Sequence, residues 1–219
     1  AVAQPIGGLI RLVEALASDI RGNGGEIRLG ARVTGIRGDA TVTAGEDRLE
    51  ADRVILACPA RPAVELLGGL GITTSAPATG TSVNVVLALE PEPLAGVPVG
   101  SGVMLGQPIP GLGARALTHY SAKWPWSRGG VELIRLSYAP DANPTEEQAL
   151  ADARLLLGCE NLVLRDHALV RWHTVPRVLP AAERAGLLES LPANIKVAGA
   201  WVAGNGIEAA IASGLEAAA

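Results

Sequence analysis

Apolar residues recur at three- and four-residue intervals through Leu9, Leu12, Val13, Leu16 and Ile20, the spacing of one helical face. Asn23-Gly24-Gly25 follows, where glycine accepts the left-handed geometry that ends many helices. The period then shortens. Glu26–Leu29, Arg32–Ile36, Thr41–Ala44 and Arg48–Glu50 read as short strands, the last three separated by turns at Gly38-Asp39 and Gly45-Glu46. Val54–Ala57 is apolar throughout, which predicts a parallel-sheet strand covered on both faces. Cys58-Pro59 stops it, and a short helix is expected over Pro62–Leu67.

The middle of the chain changes character. Gly71–Pro110 is rich in Gly, Pro, Ser and Thr and frames strands at Ser82–Leu89 and Gly102–Leu105. Arg115–Ser121 and Val131–Tyr138 alternate like antiparallel strands. Asn143-Pro144-Thr145-Glu146-Glu147 opens a helix that continues over Ala149–Leu157, with Pro at its start and acids in its first turn. A strand at His167–His173, a helix at Pro180–Leu191, a buried strand at Ile195–Ala198 and a small-residue helix at Gly206–Ala218 complete the pattern. That helix is unfinished at Ala219, which reads as a fragment boundary. The chain has no internal repeat. The fold class expected is mixed α/β (α+β).

Composition narrows the options. In 219 residues, 48% are hydrophobic, enough for a substantial core. Charged residues make up 18%, below the quarter typical of soluble domains, so a membrane surface, a further domain or a second copy in a homo-oligomer has apolar surface to cover. A net charge of −4 and the lack of any Lys/Arg run exclude a nucleic-acid partner. No apolar run reaches the roughly 18 residues of a membrane span. Ala1–Leu9 lacks the basic stretch of a secretion signal. Two cysteines, Cys58 and Cys159, fit a reducing compartment, so the cytoplasm is expected, with peripheral membrane contact left open.

Most generic chemistries fail on spacing. His119, His167 and His173 are scattered, with no Glu or Cys at metal-ligand intervals, so no metal site is expected. Ser101 and Ser121 lie in no Gly-x-Ser-x-Gly elbow. Cys58 reads as a structural thiol, since nothing nearby in sequence would lower its pKa. Asp141–Glu147 is explained by a solvated helix cap. One segment stands out, Val197–Ala218: a strand, a Gly-rich turn and a helix of small residues. Such a turn brings backbone N–H groups to an anion at a helix N-terminus. A well-packed turn without a ligand explains it equally well on chemistry alone.

Taken in order, the segments resemble the flavin amine oxidase superfamily, and within it the protoporphyrinogen and coproporphyrinogen oxidases. The resemblance rests on Pro5-Ile6-Gly7-Gly8-Leu9 and its helix, Ala51–Pro59, and Gly100-Ser101-Gly102. It continues through Ser121-Ala122-Lys123-Trp124-Pro125, Arg135, Arg171-Trp172 before Pro176, and the Gly199–Ile207 turn. Ala200 stands where many amine oxidases carry an acid, which favours the porphyrinogen branch.

The resemblance implies FAD as cofactor. Val33 would meet its adenine side through the backbone, Trp172 would touch the flavin, and Gly199, Asn205, Gly206 and Ile207 would form the turn at its ring and phosphates. It implies a tetrapyrrole substrate, with molecular oxygen as electron acceptor. Residues 1–60 and 193–219 would form a partial Rossmann-like FAD-binding subdomain, and 61–192 an antiparallel substrate-binding one. It nominates no catalytic acid or base. Two other readings stay open: another superfamily oxidoreductase, such as a carotenoid desaturase or amine oxidase, and a non-catalytic, truncated binding module. A dinucleotide enzyme of this kind begins with a strand and a Gly-x-Gly-x-x-Gly turn. Gly22-Asn23-Gly24-Gly25 follows a helix instead. The chain alone is therefore expected to bind FAD weakly or not at all, and to be inactive.

Overall fold

A computed structural model describes residues 3–219, with backbone only for 174–176. The chain folds as two compact units, one formed by Ala1–Ile27 and Thr81–His173, the other by Arg28–Gly80 and Thr174–Ala219. The units thus divide the chain elsewhere than the expected 1–60/193–219 and 61–192 partition. Both are mixed α and β, as the sequence predicts.

The first unit carries α1 (Ile10–Gly22) and a five-stranded antiparallel sheet. Its strands are β5 (Thr79–Leu89), β6 (Gly102–Met104), β7 (Ala116–His119), β8 (Glu132–Tyr138) and β9 (Leu164–Pro176), in spatial order β6-β7-β8-β5-β9. Along β8 the even positions Ile134 and Leu136 are fully buried, opposite the buried Leu87 and Val85 of β5. Helix α4 (Glu146–Leu157) supplies Ala149, Ala153 and Leu157 to the same core. It starts where the sequence predicts: Thr145 Oγ1 accepts the Gln148 N–H at 3.2 Å, and Gly158 closes the helix at φ +65°. Asp152 on α4 is buried and accepts from the amides of Gly113 and Ala114 at 3.3 and 2.9 Å and from Gln148 Nε2 at 2.8 Å. Between β7 and β8, one helical turn, α3 (Tyr120–Lys123), takes residues expected to continue the strand to Ser121.

Helix α1 forms as the periodicity predicts but buries none of its residues; Val13 and Leu16 are 59% and 55% exposed. The strand expected at Glu26–Leu29 does not form. Gly25 folds tightly back on the helix end, its missing Cβ position only 2.7 Å from the Ile20 side chain. Among the described residues no strand pairs with the segment, and Leu29 is left 88% exposed.

The second unit holds an antiparallel meander of β1 (Val33–Ile36), β2 (Val42–Ala44) and β3 (Asp47–Leu49), and a parallel pair, β4 (Val54–Leu56) with β10 (Ile195–Val197). Gly45, at φ +64°, makes the two-residue turn between β2 and β3. Helices α2 (Ala60–Gly68), α5 (Ala181–Ser190), α6 (Ala200–Ala203) and α7 (Ile207–Ala218) surround the pair. Its core joins Leu56, Ala63, Leu67, Leu187, Ile195 and Trp201. β4 is parallel as predicted but covered on one face only: Leu56 is buried, whereas Ile55 is 39% exposed. Two strands and one helical layer leave the other face open.

Candidate functional site

β4 and β10 run in register from Val54 beside Ile195 to Leu56 beside Val197, and the Ala198 N–H extends the ladder to Leu56 O at 3.0 Å. Their carboxyl ends therefore lie side by side, where open parallel sheets present loops to ligands. The Gly199–Ile207 turn leaves β10 there, and Cys58-Pro59 leaves β4. Gly199, Gly204 and Gly206 sit at φ +114°, +124° and +118°, closed to ordinary side chains. A Cβ on Gly206 would meet nothing within 4 Å, so the dihedral rather than crowding demands glycine.

The turn is more ordered than the sequence predicts. Ala200–Ala203 winds into α6 and drives Trp201 and Val202 into the core. Ser213, in the middle of α7, accepts the Gly199 N–H at 3.0 Å and donates to Ala210 O at 2.9 Å, tying turn to helix. Helix α7 begins at Ile207 with no side-chain cap, and Asn205, Gly206 and Ile207 are exposed. Its first-turn N–H groups, with the positive end of the helix dipole, are suited to a phosphate.

Val33 lies in the same unit. It lines an open cavity of 770 Å³ with Thr34, Ile55, Cys58 and Glu65. β1 is an edge strand of the meander, so one row of its backbone groups makes no ladder bond, as a backbone contact from Val33 requires. Burial pushes the Cys58 thiol above its ordinary pKa, against a role as nucleophile. Trp172 belongs to the other unit. It lies on β9, 59% exposed, beside Arg171, which donates to Ala142 O at 2.7 Å and Asn143 Oδ1 at 2.8 Å. The structure thus gathers Gly199, Asn205, Gly206 and Ile207 into one turn and places Val33 on a cavity wall of the same unit.

One group of polar residues escapes the sequence pattern. Glu132 at the start of β8 is buried and accepts from Ser121 Oγ, faces His119 Nε2 at 2.8 Å and pairs with Arg128 Nε at 3.3 Å. Ser121 Oγ in turn accepts the Leu133 N–H at 3.0 Å. Burial alone would raise the Glu132 pKa; the bonds from Ser121 and His119 and the Arg128 charge outweigh it, holding the carboxyl below its ordinary value. The acid sits between the serine and the histidine, so the imidazole does not reach the hydroxyl, and the carboxylate that does is held a weak base by its low pKa. This is a clamp on the β7–β8 connection rather than a nucleophile. In sequence His119 and Glu132 look unrelated; only the register His119 opposite Ile134 reveals their shared face. Among the described residues no group of His, Cys, Asp and Glu could hold a metal ion. No helix there is long and apolar enough to cross a membrane.

Coproporphyrinogen III oxidases of Mycobacterium bovis and Mycobacterium tuberculosis are 32% identical over 178 residues, 75% of this chain and 39% of theirs. The chain therefore spans about two fifths of the length of these curated relatives. A solved structure assigned as a protoporphyrinogen oxidase, from an Exiguobacterium species, superposes with a TM-score of 0.75 at 21% identity, covering 94% of this chain and 49% of that one. The family described as flavin containing amine oxidoreductase matches residues 2–219. FAD, the cofactor expected from the sequence, is the flavin of this family. The chain belongs to the flavin-containing amine oxidoreductase family, whose members are FAD-dependent oxidoreductases.

Proposed function

We propose that this chain is part of an FAD-dependent oxidase that converts a porphyrinogen, coproporphyrinogen III or protoporphyrinogen, to the porphyrin in heme biosynthesis. The observation that carries this reading is the 32% identity to coproporphyrinogen III oxidases across 75% of the chain. The strand and Gly-x-Gly-x-x-Gly turn that hold the diphosphate and ribose in dinucleotide enzymes are not among these 219 residues.

When bound, the flavin supplies the hydride-accepting chemistry and hands its electrons to oxygen. The chain's own work is binding and orientation. The first turn of α7 and the positive-φ glycines Gly204 and Gly206 receive phosphate charge without a side chain in the way. Gly199, fastened by Ser213, fixes where the turn begins. The Val33 backbone would hold the adenine side of the flavin, and Trp172 is the residue that the resemblance assigns to the flavin from the other unit. The antiparallel sheet of the first unit forms a wall of the substrate cavity.

The test has two parts. Purified, the chain alone should show no stoichiometric flavin absorbance; a yellow protein with one FAD per chain would refute the divided site. The product of the whole reading frame, loaded with FAD and given coproporphyrinogen III or protoporphyrinogen in air, should produce porphyrin fluorescence together with peroxide. Oxidation of an amine or a carotenoid precursor, with no porphyrin formed, would replace this reading with another member of the superfamily.

A further inference from the structure

We propose that Arg135 is a carboxylate-binding specificity residue on the open face of the five-stranded sheet. The proposal rests on the porphyrinogen reading for the identity of the ligand that lies there.

β8 is the middle strand of its sheet. Ile134 and Leu136 point into the core beneath α4, so Leu133, Arg135 and Ser137 face the other way. Arg135 is exposed although it is central, with Val86 of β5 on one side and Thr118 of β7 on the other. Its guanidinium donates to Thr118 Oγ1 at 3.2 Å, and among the described residues no ion pair joins it to a carboxylate. A guanidinium offers five N–H donors in a planar fork matched to a carboxylate. One is spent here on a neutral hydroxyl, which fixes the fork's direction without discharging it.

The polar side chains beside it on that face are neutral and already satisfied, and just past the end of β5 the charge of Glu90 is met by Arg165. Ser137 Oγ donates to Asn84 Oδ1 at 2.8 Å, and Asn84 Nδ2 donates to Ser82 Oγ at 2.9 Å. Val86 and Leu133 are half-buried and apolar. A ligand laid on this surface would find an apolar and neutral bed with one unpaired cation at its centre. A flat macrocycle carrying propionate side chains has that chemistry: ring against Val86 and Leu133, carboxylate on Arg135. The charge-assisted pair is the stronger element, and it would discriminate against the same macrocycle with its acids blocked.

Direct binding tests this without any turnover. The product of the whole reading frame, wild type or variant, is titrated with coproporphyrin III and with its methyl ester, and porphyrin fluorescence is followed. Arg135→Met should weaken binding of the free acid by about tenfold to a hundredfold while leaving the ester unchanged. Arg135→Lys should recover part of the loss, and Arg48→Met, an exposed cation of the other unit, should recover the wild-type curve. Circular dichroism checks that each variant is folded, as expected for an exposed side chain. Equal binding of the acid by wild type and Arg135→Met, or equal losses for acid and ester, would overturn the role of Arg135 and leave the porphyrinogen reading standing. Failure of the whole wild-type protein to take up either porphyrin would overturn both.

Discussion

The two sheets of this chain solve the problem of burial in different ways. The antiparallel sheet of the first unit completes one face by itself: β5, β7 and β8 turn Val83, Leu87, Leu117, Ile134 and Leu136 onto α4, with almost no exposure. The parallel pair of the second unit does not. It buries Ile195 and Leu56, yet Ile55, on the alternate face, stays open beside the exposed Val33. Antiparallel strands join through short connections and can close a layer locally, whereas a parallel sheet is stable when both faces are covered. A chain can therefore carry a finished antiparallel sheet and an unfinished parallel one. Helix α1 tells the same story: its apolar stripe is intact in sequence and uncovered in the structure.

Substitutions test this contrast directly. Leu136→Ala removes a fully buried side chain from the finished core and should cost about 4 kcal/mol in denaturant unfolding. Glu132→Ala should cost about 3 kcal/mol, because His119, Ser121 and Arg128 lose their common acceptor inside the same unit. The pH dependence has a definite sign. The folded-state pKa of Glu132 is depressed, so its contribution is complete above the unfolded-state value and disappears as pH falls through the folded one. The stability gap between wild type and Glu132→Gln should shrink accordingly in acid; a gap that widens there would refute the clamp. Thr145→Ala, which removes the α4 cap, should cost about 1 kcal/mol. Ile55→Ala should cost less than about 1 kcal/mol, since much of that side chain already meets water. An Ile55 penalty equal to that of Leu136 would show the parallel pair to be as finished as the antiparallel sheet.

What the sequence made legible is what local chemistry decides. Helix α4 announced itself through Thr145, Glu146, Glu147 and Gly158, all acting within a turn of their own positions. The alternation of β8 showed which of its residues face the core. The Gly199–Ile207 turn was legible as a turn because three glycines stand between a strand and a helix, and as a ligand site only through the family resemblance. Its short α6 was not, since four residues between two glycines are too few to display a period. Glu26–Leu29 failed as a strand because strand formation needs a partner, and alternation cannot supply one. The Glu132 clamp was hidden because register, not proximity in sequence, assembles it. Val33 was named from family resemblance; alone, it reads as an ordinary apolar position, and its exposure on a cavity wall became visible only in three dimensions.

The bonds from Asp152 reach beyond packing. Gly113 and Ala114 lie outside any helix or strand, yet their amides are held by a buried carboxylate borne on α4. Those protons cannot meet solvent through a local flicker of the loop; α4 must first lift from the sheet. Their hydrogen exchange should therefore be as slow as that of β8, and it would report undocking of the helix from a position in the chain that looks free to move.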